Sequence, residues 1–86
     1  MVYAWDFMND EVRARAATMP IEGARAFLEV MAAAELNPWE VGLAPEEKRT
    51  GNMPTVHFGP RGEGMVTYLI YEPDRQLLVT DVTWVG

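Results

Sequence analysis

Few side chains in this chain have the type and spacing to carry chemistry. Histidine is the residue type whose unperturbed pKa lies near neutrality, and His57 is the only one present, so it is the candidate general base. Arg61 follows inside the glycine-rich stretch Gly59-Pro60-Arg61-Gly62-Glu63-Gly64. Glycines there could let backbone amides approach an anion whose charge the guanidinium neutralises. His57 and Arg61 are therefore the catalytic candidates. Each has a plainer reading as well. A lone strand histidine is commonly a surface or hydrogen-bonded residue, and a glycine-rich stretch is commonly a hairpin turn. Glu63 and Asp81 could work as paired carboxylates, although Glu63 in a turn is also simply solvated. Asp81 is the odder of the two, because it interrupts an apolar run; it hydrogen-bonds a partner or another strand, or faces solvent. Lys48-Arg49 is the only adjacent basic pair and reads as a solvated loop pair. Tyr68 and Tyr71 read as ordinary strand residues, and Trp84 as core.

Composition removes several function classes. There is no cysteine, so no disulfide, thiolate metal site or thiol nucleophile is available. A single histidine excludes a multi-histidine metal site within one chain. No Gly-Lys-Ser/Thr follows the glycines, so the turn is not a P-loop. Neither a metal nor any other cofactor is expected. Thirteen acids against seven bases give a formal charge of −6, which argues against general nucleic-acid binding outside a local basic patch. No apolar run is long enough to span a bilayer, and the first ten residues carry no basic residue as a signal peptide would. A cytoplasmic protein with no membrane contact is the expectation.

Positioning these residues falls to a C-terminal meander. Thr55 to Phe58, Met65 to Glu72 and Gln76 to Val85 are rich in β-branched and aromatic residues and are bounded by Gly, Pro and Asp turns. Upstream, Val2 to Phe7 alternates, with Tyr3, Trp5 and Phe7 on one side. A first helix opens at Asn9 or Asp10 and places Met8, Val12 and Ala16 on one face. Thr18-Met19-Pro20 breaks it. A second helix runs from about Pro20 to Leu36, with an inner stripe of Ile21, Ala24, Leu28 and Met31 flanked by Phe27, Ala32 and Leu36. Gly23 in its interior has no explanation beyond a close contact with the first helix. Asn37-Pro38 ends the helix, and Trp39 to Asn52 is the least structured stretch, with Trp39, Val41 and Leu43 tucked under the helix end.

The reading is one α+β domain of order β-α-α-β-β-β, a helical hairpin on one face of a mainly antiparallel four-stranded sheet. In the last strand Leu78, Val82 and Trp84, with Thr80, make one face. Leu77, Val79, Asp81, Thr83 and Val85 make the other. Neither face is polar, so apolar surface is left for a partner. Leu77, Val79, Asp81, Met65 and Tyr71 are the partner-binding candidates, and the partner is another protein or a second copy in a homodimer.

This order, the aromatic strand Tyr3-Ala4-Trp5, the break at Met19-Pro20, Asn37-Pro38-Trp39, and the tail strands His57-Phe58-Gly59, Val66 to Tyr71 and Leu78 to Gly86 together resemble the RelE/ParE superfamily of bacterial toxins. The resemblance implies a toxin–antitoxin setting and an antitoxin-like protein partner. Ribonuclease members of that family cleave messenger RNA on the ribosome with basic and acid–base side chains on the last strands and the tail beyond them. Here Met65 to Glu72 holds no basic residue, the chain stops at Gly86, and the charge is acidic. Weak or absent ribonuclease activity is therefore expected. The alternative is a non-enzymatic interaction module on the same scaffold.

Overall fold

Gly23 is explained by an indole. In the computed structural model, which describes residues 2–43 and 51–86, a β-carbon at Gly23 would lie 2.9 Å from Cδ2 of Trp84. The backbone of the second helix therefore rests directly on the ring. Helix α2 spans Ile21–Leu36, and this contact fixes its rotation, burying Gly23, Phe27, Met31 and Ala34. The expected inner stripe is corrected accordingly. Met31 is inward, but Ile21, Leu28 and Leu36 are exposed, at 67%, 57% and 72%.

Before it, β1 (Ala4–Phe7) leads into α1 (Asp10–Ala16), and Asn9 caps α1 by accepting the Val12 N–H at 2.9 Å. The meander is β2 (Thr55–Phe58), β3 (Gly64–Tyr71) and β4 (Gln76–Trp84). A 3-10 turn at Glu72–Asp74 joins the last two, with Arg75 in the left-handed region. The four strands form one sheet in the order β1-β4-β3-β2. β1 runs parallel to β4, and the other two pairings are antiparallel. The β-α-α-β-β-β order and the helical hairpin on the sheet match the expectation. The pair Lys48-Arg49 lies outside the described residues.

Strand β4 departs from simple alternation. Tyr68 is opposite Val79 while Thr67 is opposite Asp81, so Thr80 is an unopposed extra residue. A bulge of this kind changes which face the following side chains occupy. Leu77 and Val79 before it, and Val82 after it, all point toward the helices and are buried. Trp84 continues that inner row and stacks on Phe58, with ring centroids 5.9 Å apart. Leu77 and Val79 therefore do not belong to the uncovered face. The inner layer is completed by Val56 and Phe58 of β2 and by Val66, Tyr68 and Ile70 of β3. Phe27 lies in an aromatic group with Trp5, Phe7 and Phe58.

Three substitutions test this packing. Gly23→Val forces the Trp84 ring aside and should lower unfolding free energy by about 2–3 kcal/mol in denaturant titration, because overpacking outweighs the gain in helix propensity. Leu77→Ala should cost about 2–5 kcal/mol, whereas Leu78→Ala, half-buried on the opposite face, should cost less than about 1.5 kcal/mol. The reverse order would place the bulge elsewhere.

Candidate functional site

The outer face of the sheet follows from the register. On β3, Met65, Thr67, Leu69 and Tyr71 alternate with the buried Val66, Tyr68 and Ile70. Their neighbours on β4 are Thr83, Asp81, Leu78 and Gln76. On β2, Thr55 and His57 complete the surface. Leu69 and Leu78 form a cross-strand pair at its centre, with Tyr71 and Met65 on either side along β3. Met65 and Tyr71 are exposed, at 41% and 46%. Two of the expected partner residues, Met65 and Tyr71, are thus on an accessible apolar surface, and Asp81 is on the same side. Leu78 and Leu69 belong to it as well. Plain alternation groups Leu78 with Val82 and Trp84, and the bulge breaks that grouping.

Asp81 is engaged by Arg15 of α1, which also reaches Glu11 at 3.5 Å. Arg13 bridges Asp6 at 3.2 Å and lies over the Phe7 ring. These two arginines are held by acids, which offsets their charge locally. Exposed pairs of this sort contribute about 0–1 kcal/mol each.

His57 and Arg61 flank the β2–β3 turn, and both are exposed. The His57 Nδ1 is 3.4 Å from the Gly62 carbonyl oxygen, the far end of the hydrogen-bond range. Gly59 and Gly62 adopt positive φ, which the turn requires of them. The Arg61 backbone N–H donates to Glu63 Oε1 at 2.8 Å. His57 lines a shallow depression of about 540 Å³ beside Glu29, Val30 and Pro60. Arg61 lines another, of about 570 Å³, beside Glu22, Glu63 and Trp84. The two catalytic candidates thus share a turn but open on different depressions. Glu63 and Asp81 do not pair either. The ladder continues past Trp84 through a Val85 N–H to Glu63 carbonyl bond, which sets the backbones of Glu63 and Asp81 about four strand residues, ~13 Å, apart along the ladder. Among the described residues no three His, Asp or Glu side chains are grouped to hold a metal ion, and no helix is long and apolar enough to cross a membrane.

One polar cluster escaped sequence reasoning. The Tyr3 hydroxyl and the Trp39 indole N–H both donate to Glu72 Oε2, at 2.6 and 2.7 Å. The Arg75 guanidinium lies over the Tyr3 ring, 5.7 Å from its centroid. The hydrogen bond from Tyr3, then that from Trp39, holds the Glu72 carboxyl below its usual range. The same bond to Glu72 raises the Tyr3 phenol above its usual value. Residues 3, 39 and 72 are too far apart in sequence for any local pattern to pair them. The cluster ties the start of the chain and the end of α2 to the β3–β4 turn, which is a fastening role.

No family model matches this chain, and neither a curated protein nor a solved structure was found to match it.

The Glu72 cluster sets an expectation for acid. A carboxyl with a lowered folded-state pKa contributes stability that is present above its unfolded pKa and lost as pH falls through the folded value. Glu72→Gln should therefore lower Tm at neutral pH, and the gap to the wild type should narrow steadily on acidification below about pH 4.5. A gap independent of pH in thermal melts would remove the carboxylate from this account.

Proposed function

We propose that this chain is a RelE/ParE-like protein of a toxin–antitoxin pair that acts by holding a protein partner on the outer face of its sheet, with weak or no ribonuclease chemistry. The observation that carries the reading is the apolar row Met65, Leu69, Leu78 and Tyr71, open on a sheet whose other face is fully used by the core. Because β1 and β2 flank opposite halves of the β3–β4 ladder, the sheet is three strands, about 14 Å, across at each level, and eight residues of β3 run about 27 Å, so the face offers about 400 Å² to a partner. Doubled over both sides, that is about 800 Å², short of the roughly 1,000 Å² of a stable specific interface, so the contact is a weak, transient one. The order of elements supports the toxin-like assignment, because it is the order the resemblance implies. The chain's charge of −6 would steer a basic partner toward it. An interaction module outside any toxin pair would use the same face, and growth separates the two.

The decisive experiment is induced expression in a bacterial host with growth followed. Arrest by the wild type is expected, and it should persist in the His57→Ala plus Arg61→Ala double variant. It should be relieved in a folded Met65→Arg plus Tyr71→Arg variant. Relief by the first pair instead would return the function to chemistry at the turn. Normal growth at a verified soluble level would leave the interaction module without a toxic role.

A further inference from the structure

The rotation of α2 that seats Gly23 on Trp84 turns a second stripe outward. It consists of Ile21, Arg25, Leu28, Ala32 and Glu35, spaced four, three, four and three residues apart. That spacing is the seam of a heptad repeat, the pattern by which one helix packs along another. Ile21, Arg25, Leu28 and Ala32 are exposed, and Glu35 is half-buried. Neither Arg25 nor the Glu35 carboxylate belongs to any ion pair among the described residues. The Glu35 backbone carbonyl accepts the Tyr3 N–H at 2.8 Å, which anchors this end of α2 to the sheet. The seam borders an apolar groove of about 270 Å³ whose walls include Trp5, Phe7, Met19 and Leu28.

We propose that this seam is a homodimer interface in which α2 packs antiparallel against α2 of a second copy. The stripe is complementary to itself in that orientation and in no parallel one. In an antiparallel pair with the two-fold axis at Val30, position i faces position 60 − i. Leu28 then faces Ala32 of the second copy, a large side chain on a small one, and the symmetry repeats the contact. Arg25 faces Glu35 of the second copy, again twice. A parallel pair would set Arg25 against Arg25 and Glu35 against Glu35, which like charges at a seam oppose. Self-complementarity under a two-fold axis is what an isologous interface requires. Sixteen helical residues give a seam about 24 Å long and about 10 Å wide. That is about 240 Å² on each copy and about 480 Å² in all, below the roughly 1,000 Å² of a stable specific interface, so the dimer is weak and transient and forms only at high protein concentration. This interface is separate from the outer sheet face and does not depend on the function proposed above.

Sedimentation equilibrium of the full chain over a wide concentration range, at moderate salt, tests it. The average mass should rise from the 9.7 kDa of one chain toward twice that value. Arg25→Glu alone and Glu35→Arg alone should each weaken association by about tenfold or more, since each creates two like-charge contacts. The double variant Arg25→Glu plus Glu35→Arg should restore it, and Leu28→Asp should abolish it. All of these positions lie outside the buried core, and circular dichroism verifies that each variant stays folded. A single-chain mass at every concentration would overturn the proposal. So would a dimer indifferent to Arg25→Glu, or single-variant losses that the double exchange fails to rescue.

Discussion

The contact of the α2 backbone at Gly23 with the Trp84 indole decides how the two layers of this protein meet. A larger residue forces the ring to shift, because even a methyl group would enter its van der Waals envelope. Glycine in a helix interior is intrinsically unfavourable by about 1 kcal/mol. Its presence here is the local cost of bringing helix and sheet together at this point. Everything on α2 is then placed by helical geometry. Phe27, Met31 and Ala34 fall inward, and Phe27 joins Trp5, Phe7 and Phe58 in one aromatic group. Ile21, Leu28 and Leu36 fall outward.

That contact depends on a second irregularity. Trp84 faces α2 only because Thr80 is an extra residue in β4. Without it, the alternation that buries Leu77 and Val79 would turn Trp84 to the outer face and leave Gly23 above a gap. The bulge also carries Asp81 outward, where Arg15 meets it. One inserted residue thus links three observations: the burial of Leu77, the seat of α2, and the position of the acid that the α1 arginine holds. A second glycine–aromatic fit works in the same layer. Phe58 lies across Gly64 of its partner strand, where a β-carbon would come within 2.3 Å of the ring. The ring fills space that a glycine in a strand leaves empty.

These two irregularities explain what could and could not be read from the sequence. Strand runs, turns, helix breaks and their order were legible, since each is a local property of composition and spacing. The inward face of α2 was not. The expected stripe Ile21, Ala24, Leu28 and Met31 shares Met31 with the buried face and has Phe27 at its flank, so the hydrophobic pattern comes close but is rotated toward Ile21 and Leu28 by their apolar weight. Gly23 was the signal that could have corrected the rotation, because an unfavourable glycine marks the side of closest approach. That Met65 and Tyr71 share one side of β3 was legible, since β3 alternates without interruption. Leu77 and Val79 were misplaced since a one-residue bulge reverses a strand's faces and leaves no local mark. The Glu72 cluster was illegible for another reason, in that its members meet only after the fold has formed.

The two surfaces argued for above lie on different layers, and this matters for what an assembly could do. The apolar row on β3 and β4 is on the side of the sheet away from the helices. The charged seam of α2 is on the helical layer. A pair of copies joined through α2 would therefore leave both sheet faces open. A partner carrying two matching segments could engage both, and its second contact would form at the raised effective concentration that linkage provides. Linkage of that kind compensates for faces smaller than stable recognition ordinarily needs. The acidic charge acts on both processes with opposite sign. Doubling it in a dimer strengthens the pull on a basic partner while opposing the dimer itself. A bound basic partner would relieve that repulsion, so partner binding and self-association would reinforce each other, and by linkage each would tighten the other by the same factor.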